Sequence, residues 1–207
     1  ELTSLIVANS LAYSDIFGKI AYIHDYIVSQ VNYNDDGDLL NSTAYGALIN
    51  RKAICSGYSK AFQYLLTKVG VDCAYVIGKL SDGQGHAWNL VMAGGESFYM
   101  DVTLDDPLFI GVNNSGVEIY YNYFGLTDEE INKTHEADDR YDYPKCESES
   151  YNYYKNRGLY LTSADVSRAE QIIKGAYSNG RAIAVMKFSD IDYLNTVKSS
   201  LFDGQRI

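Results

Sequence analysis

The chain is short of three things. It has few cysteines, three in 207 residues. Cys55, Cys73 and Cys146 are odd in number and far apart, which excludes a disulfide framework or a zinc knuckle. It has no apolar run near the ~20 residues that span a bilayer, so no transmembrane segment is expected. It also has no block of lysine and arginine: 17 basic residues stand against 27 acidic ones, for a formal net charge of -10. A nucleic-acid partner, which needs a basic surface, is therefore not expected.

What is present suits a packed domain. Hydrophobic residues make up 46% and charged residues 21%, ordinary values for a globular chain. At roughly 150 residues per domain, the length fits one domain with a small appendage. Tyrosine is abundant, at 20 residues. Its ordinary use is packing plus one hydrogen bond; a sugar- or peptide-binding surface is the alternative. Cys73 sits in an apolar stretch and reads as core, with a Cys73–Cys146 bridge left open. Glu1 at the start and Gln205-Arg206-Ile207 at the end suggest a fragment or a mature form.

Periodicity gives the elements. Ile16, Ile20, Ile23, Ile27 and Val31 are spaced three or four apart, which predicts an amphipathic helix with Asp15 as its cap. Residues 32–41, with Asp35-Asp36-Gly37-Asp38, read as a loop. Tyr58, Ala61, Phe62, Leu65, Leu66 and Val69 mark a second helix, closed by Gly70, with Cys55 in its first turn. Strands are predicted over 71–78, 86–93 and 97–102, the last two joined at Gly94-Gly95, a strong hairpin signal. Residues 105–160 show no clear pattern beyond a short helix within 127–134. A helix from Val166, a strand over 182–188 and a helix over 190–201 follow. The expected class is α+β, with a first domain over 1–145 and a small α/β extension over 146–207.

Three residues could carry chemistry together. A thiol is a better nucleophile as thiolate, and a helix N-terminus favours that form. Cys55 stands at one, next to the small Ser56 and Gly57. In the hairpin, a tight turn pairs Ala93 with Glu96, so paired positions sum to an odd number. The positions of His86 and Asp101 also sum to an odd number, so both project from one face as diagonal neighbours, about 7–8 Å apart. Cys55 then reads as nucleophile, His86 as its base and Asp101 as the group that orients the histidine. The Cys55 backbone N–H would meet the oxyanion. Of the other histidines, His24 reads as helix packing, and His135, among Glu136, Asp138 and Asp139, as solvated. No fourth ligand stands at a suggestive spacing, so neither a metal nor a cofactor is expected.

These residues lie in recognisable motifs. Residues 50–59, Asn-Arg-Lys-Ala-Ile-Cys-Ser-Gly-Tyr-Ser, resemble the cysteine motif of bacterial transglutaminase-like proteins. His86-Ala87-Trp88-Asn89 resembles their histidine motif, and Tyr99 to Pro107 their aspartate motif. The resemblance implies a papain-like transglutaminase core, with the cysteine helix packed on an antiparallel sheet. It implies the triad Cys55, His86 and Asp101, a protein or peptide substrate, and a secreted or cell-surface location. Trp88 and Tyr58, inside the motifs, are assigned to substrate. Two positions depart from the family. Leu104 stands where many members have tryptophan. Animal transglutaminases hold the oxyanion with a tryptophan well before the cysteine, whereas the one tryptophan here, Trp88, follows the histidine. Tyr45 is assigned as the second oxyanion donor, and hydrolysis is favoured over acyl transfer. The rival reading is a transglutaminase-fold binding or assembly module without turnover.

Overall fold

The computed structural model describes residues 2–107, 119–181 and 183–203. Glu1, Ala182 and the Gln205-Arg206-Ile207 end lie outside them, as does part of the unassigned stretch, at 108–118. The chain divides into two compact units, 1–151 and 152–207.

The first unit opens with α1 (Leu2–Ser10) and α2 (Ile16–Gln30). Asp15 caps α2 by accepting the Gly18 N–H at 2.5 Å, as its position before the apolar stripe predicts. Two short strands, β1 (Asn32–Tyr33) and β2 (Lys52–Ala53), pair in parallel, β1 taking the first two residues of the predicted loop. Helix α3 (Cys55–Lys68) follows at once. It ends at Val69, and Gly70 takes φ 78°, the left-handed turn that glycine allows.

A five-stranded sheet comes next: β3 (Asp72–Leu80), β4 (Gly85–Ala93), β5 (Glu96–Met100), β6 (Phe124–Leu126) and β7 (His135–Ala137). The spatial order is β6-β5-β4-β3-β7, antiparallel throughout. Gly94 and Gly95 sit at φ 62° and 83°, the primed hairpin turn that matches strand twist. Ala93 pairs with Glu96, and that register holds to Asn89–Met100. Between β6 and β7 a short helix, α4 (Asp128–Ile131), is closed by a capping box of Thr127 and Glu130. One core cluster joins Val76, Trp88, Leu90, Tyr99, Leu126, Ile131 and Cys146, so the segment after β5 covers one face of the sheet.

Helix α3 is pinned to the sheet by polar groups as well as by packing. The Ser59 hydroxyl lies 2.9 Å from the carbonyl of Ala87 and 2.9 Å from that of Cys55, one turn back. The Asn89 amide donates to the Ser59 carbonyl at 3.0 Å. Both serine and asparagine are fully buried, where an unmade hydrogen bond is costly. The helix that carries Cys55 is thus tied to the strand that carries His86.

Gly78 marks the tightest point of the sheet. It pairs with His86 on one side and Ala137 on the other. A Cβ there would lie 2.1 Å from the Glu136 carbonyl oxygen and 2.7 Å from Trp88 Cη2. Backbone cannot give way as a flexible side chain can. Gly78→Ala is therefore expected to destabilise the unit by about 1–3 kcal/mol through overpacking, read as a lower urea midpoint, with β7 loosened first in hydrogen exchange.

The second unit holds α5 (Tyr153–Asn156), β8 (Tyr160–Leu161), α6 (Val166–Ser178), β9 (Lys187–Phe188) and α7 (Ile191–Lys198), with a last turn at Ser199–Asp203. The strands β8 and β9 are parallel, an α/β arrangement with its own core of Leu161, Ala169, Ile172, Val197 and Leu201. The strand predicted over 182–188 is regular only at its last two residues. Ala182 lies outside the described residues, and among 183–188 only Lys187 and Phe188 find a ladder.

Two sequence expectations about cysteine resolve differently. Cys73 is buried, and burial pushes its thiol above the ordinary range. The Cys73–Cys146 bridge is not formed; all three cysteines are free.

Candidate active site

Cys55 is the first residue of α3, and Ile54 before it supplies no side-chain cap. In that first turn the Gly57 N–H donates to the Ile54 carbonyl at 2.9 Å, while the Cys55 and Ser56 N–H groups have no partner within the helix, and the dipole there favours a thiolate. Gly57 lets the turn sit close: a Cβ there would lie 2.3 Å from the Asn41 carbonyl oxygen. Cys55 is partly exposed, unlike the buried Cys73 and Cys146.

His86 begins the inward face of β4, and Asp101 follows the last residue of β5. Their side chains meet as the hairpin parity predicts. His86 Nε2 lies 2.6 Å from Asp101 Oδ2, both groups buried. A carboxylate only accepts, so the hydrogen is on Nε2, and Nδ1 is the nitrogen left for the thiol. Burial pulls the His86 imidazole down. The Asp101 carboxylate beside it, and then the Cys55 sulfur through a hydrogen bond and its charge, outweigh that and hold it up at about 10.

Asp101 is saturated. Its Oδ1 accepts the Thr103 and Leu104 N–H groups at 2.9 and 3.2 Å. Its Oδ2 accepts from His86 and, at 3.0 Å, from His135 Nε2. Burial opposes its charge, but the two histidines hold the carboxyl well below the usual carboxylate range. His135, expected to be solvated, is instead buried at the start of β7. Its acidic neighbours in sequence misled the reading: in a strand, Glu136 points to the other face.

The turn after Asp101 is clamped from two helices. His24 on α2 sets Nε2 at 3.1 Å from Asp105 Oδ2 and Nδ1 at 3.0 Å from Asp25. Burial lowers the His24 imidazole, but those carboxylates raise it overall to about 9. Burial pushes Asp105 the other way, up to about 6, although His24 opposes this. His24 is thus buried as expected, but as one half of an ion pair. On α3, the Tyr58 hydroxyl donates to Asp106 at 2.6 Å and lies 3.0 Å from the Val31 carbonyl.

That position overturns a substrate role for Tyr58, which has no exposed surface. Trp88 is 1% exposed and packs in the core cluster, so it too is removed from substrate. Both motif aromatics neighbour the triad in sequence, but the helix and strand turn them inward. Tyr45 is exposed and lines a groove with Thr3, Ala44, Leu48, Ile49 and Tyr64. No triad residue lines that groove. Tyr33 and Tyr75, which the sequence did not single out, do feel the Cys55 charge: each phenol is raised, first by burial and next by Cys55.

His86, Asp101 and His135 are also a potential metal-ligand set. Ligand atoms around a tetrahedral zinc stand about 3.3 Å apart, given Zn–N distances of about 2.0–2.1 Å. Separations of 2.6 and 3.0 Å between the histidine nitrogens and Asp101 Oδ2 are hydrogen-bond lengths instead. No fourth Cys, His, Asp or Glu joins the set among the described residues.

A helix bearing a cysteine at its N-terminus, packed on an antiparallel sheet that presents a bonded His–Asp pair, defines the papain-like α+β class. Residues 7–102 match the model of the transglutaminase-like superfamily. None of the curated proteins matches the chain. The chain is similar to solved structures, three of which follow. One is a TGase, at 20% identity, TM-score 0.44, with 49% of this chain and 30% of that one covered. Another is a candidate cysteine protease from Cytophaga hutchinsonii, at 16% identity and TM-score 0.44, covering 71% and 54%. The third is the periplasmic domain of TgpA from Pseudomonas aeruginosa, bound to ethylmercury, at 15% identity and TM-score 0.40, covering 49% and 43%. This chain thus spans about half or less of each of those proteins. No helix among the described residues is long and apolar enough to cross a membrane.

Proposed function

We propose that the chain is a thiol-dependent hydrolase or acyltransferase of protein and peptide amide bonds, with Cys55 as nucleophile, His86 as acid and base, and Asp101 as the orienting carboxylate. The observation that carries this is the buried 2.6 Å bond from His86 to Asp101, made by a ring whose other nitrogen is left for Cys55. The Cys55 thiolate attacks the acyl carbon, and the first N–H groups of α3 receive the oxyanion. The imidazolium of His86 gives its proton to the leaving amine as the C–N bond breaks, leaving a thioester. Neutral His86 then takes a proton from water, which attacks the thioester. The acid leaves, and thiolate and imidazolium are restored.

Hydrolysis is favoured over transfer to an amine. The one tryptophan is Trp88, and its burial in the core leaves it no reach toward an oxyanion. An extracytoplasmic location belongs to the same proposal, on the strength of the family resemblance.

The test is the pH dependence of Cys55 alkylation by iodoacetamide, read by peptide mass spectrometry. Cys55 is expected to react faster than Cys73 and Cys146 near neutral pH. His86→Ala should remove that advantage. Three thiols of similar reactivity, indifferent to His86, would instead mark a binding module that keeps the fold without turnover.

A further inference from the structure

His135 has no part in the reading above. It lies 33 residues beyond the end of the family-matched segment at residue 102, so the superfamily's core does not supply it. Strand β7 brings it in: Leu80 pairs with His135, two positions along β3 from Gly78, the partner of His86. His135 and His86 therefore share a sheet face. With no side chain at Gly78 between their strands, the ring of His135 reaches 4.8 Å from that of Trp88 and 5.5 Å from that of His86.

Its bonds are specific. Nε2–H donates to Asp101 Oδ2 at 3.0 Å, on the same oxygen that serves His86. Nδ1 lies 2.8 Å from the Thr134 hydroxyl, and the Tyr123 ring closes on it edge-on at 5.5 Å. The groups facing it are thus Asp101, His86, Thr134, Tyr123 and Trp88. An sp² oxygen has two lone-pair directions. His86 occupies one on Oδ2, and His135 the other. Without the second donor, Oδ2 would keep an open, buried acceptor direction and be placed by His86 alone, while Oδ1 stays on the Thr103 and Leu104 N–H groups.

We propose that His135 is a positioning residue of the active site: it locks the Asp101 carboxylate in the orientation that receives His86 Nε2–H, and so aims His86 Nδ1 at Cys55. The proposal rests on the triad reading. His135 touches no reacting atom and acts through Asp101.

The test compares His135→Ala, His135→Asn and His135→Gln in the full chain. Glutamine can place an N–H near the position of Nε2; asparagine is one carbon too short. Cys55 alkylation is measured against pH, with unfolding midpoints alongside. Alanine and asparagine are expected to cut Cys55 alkylation near pH 6 by about tenfold to hundredfold, the scale of a misplaced catalytic group. Glutamine is expected to recover the profile to within about threefold. Where alanine does not fold, asparagine carries the comparison. If all three variants lose stability yet keep the wild-type profile, His135 is a packing residue and the proposal is wrong. If wild type itself is indifferent to His86→Ala, the triad reading fails, and this one with it. If wild type responds to His86→Ala but to none of the His135 variants, only this proposal fails.

Discussion

Asp101→Asn is expected to leave the fold in place and to cut turnover on a fluorescent casein by about 10³- to 10⁴-fold, the scale seen when an orienting carboxylate becomes an amide. The reason lies in proton bookkeeping at one oxygen. Both histidines donate Nε2–H to Asp101 Oδ2, while Oδ1 accepts two backbone N–H groups. Those backbone donors would hold the carbonyl of an asparagine on the Oδ1 side. Its NH₂ group would then face both histidines. Each ring would have to turn Nε2 into an acceptor, which moves the hydrogen to Nδ1. His86 Nδ1–H would point at Cys55 as a donor and could no longer take its proton. The same variant should show Cys55 alkylating as an ordinary thiol. Stability should fall as well, because the carboxylate partner of two buried imidazoles is gone; the cost of breaking a buried pair is about 3–5 kcal/mol. Circular dichroism separates this from unfolding. A variant that still alkylates rapidly near pH 6 would remove Asp101 from the machinery.

How much of this was legible in the sequence depends on how local each contact is. The hairpin is local: two glycines set the turn, the turn sets the register, and parity puts His86 and Asp101 on one face. The α3 stripe and its glycine stop were equally plain, because 14 residues carry nearly four turns of periodicity. Strands β6 and β7 were not readable. Each has three residues, too few for an alternation to show, and each pairs with a strand far away in sequence. His135 entered through β7, so its bond to Asp101 was hidden with it. The motif aromatics failed for a different reason. Tyr58 and Trp88 stand beside reactive residues in sequence, yet Tyr58 belongs to the buried stripe of α3 with Ala61, Phe62 and Leu65, and β4 carries Trp88 inward with the core. The buried His24–Asp105 pair joins α2 to the turn after β5 across 81 positions. Periodicity placed His24 on the apolar face but carried no sign of the carboxylate waiting there.

That pair, with His86, makes stability fall on the alkaline side, and this is the second large effect expected. His24 is raised to about 9 and His86 to about 10 from an unfolded value of 6.5. For a raised group the native state binds the proton more tightly than the unfolded chain. Its contribution is whole below the unfolded value and is lost as pH rises through the folded one. Between about pH 6.5 and 9 the native state should hold up to two more protons than the unfolded state. Stability should then decline by about 1–3 kcal/mol per pH unit, the upper figure applying if both imidazoles titrate independently. Asp105 works in the same direction: burial raises its folded value to about 6, so above that pH it is a buried charge that depends on His24⁺. Once His24 loses its proton, the positive charge that compensates Asp105 is gone, and the Tyr123 N–H at 3.0 Å on its other oxygen is a neutral donor. Asp101 sets the acid limit with the opposite sign. Its folded value lies below the unfolded one, so its contribution is present above about pH 4 and fades below that. Urea midpoints taken from pH 4 to 10 should therefore peak on the acid side of neutrality. His24→Gln should flatten the alkaline decline by roughly half and leave the pH dependence of Cys55 alkylation in place, because His24 touches Asp105 and not Asp101. A midpoint that stays level from pH 6.5 to 10 would mean that neither imidazole holds its proton more tightly in the native state.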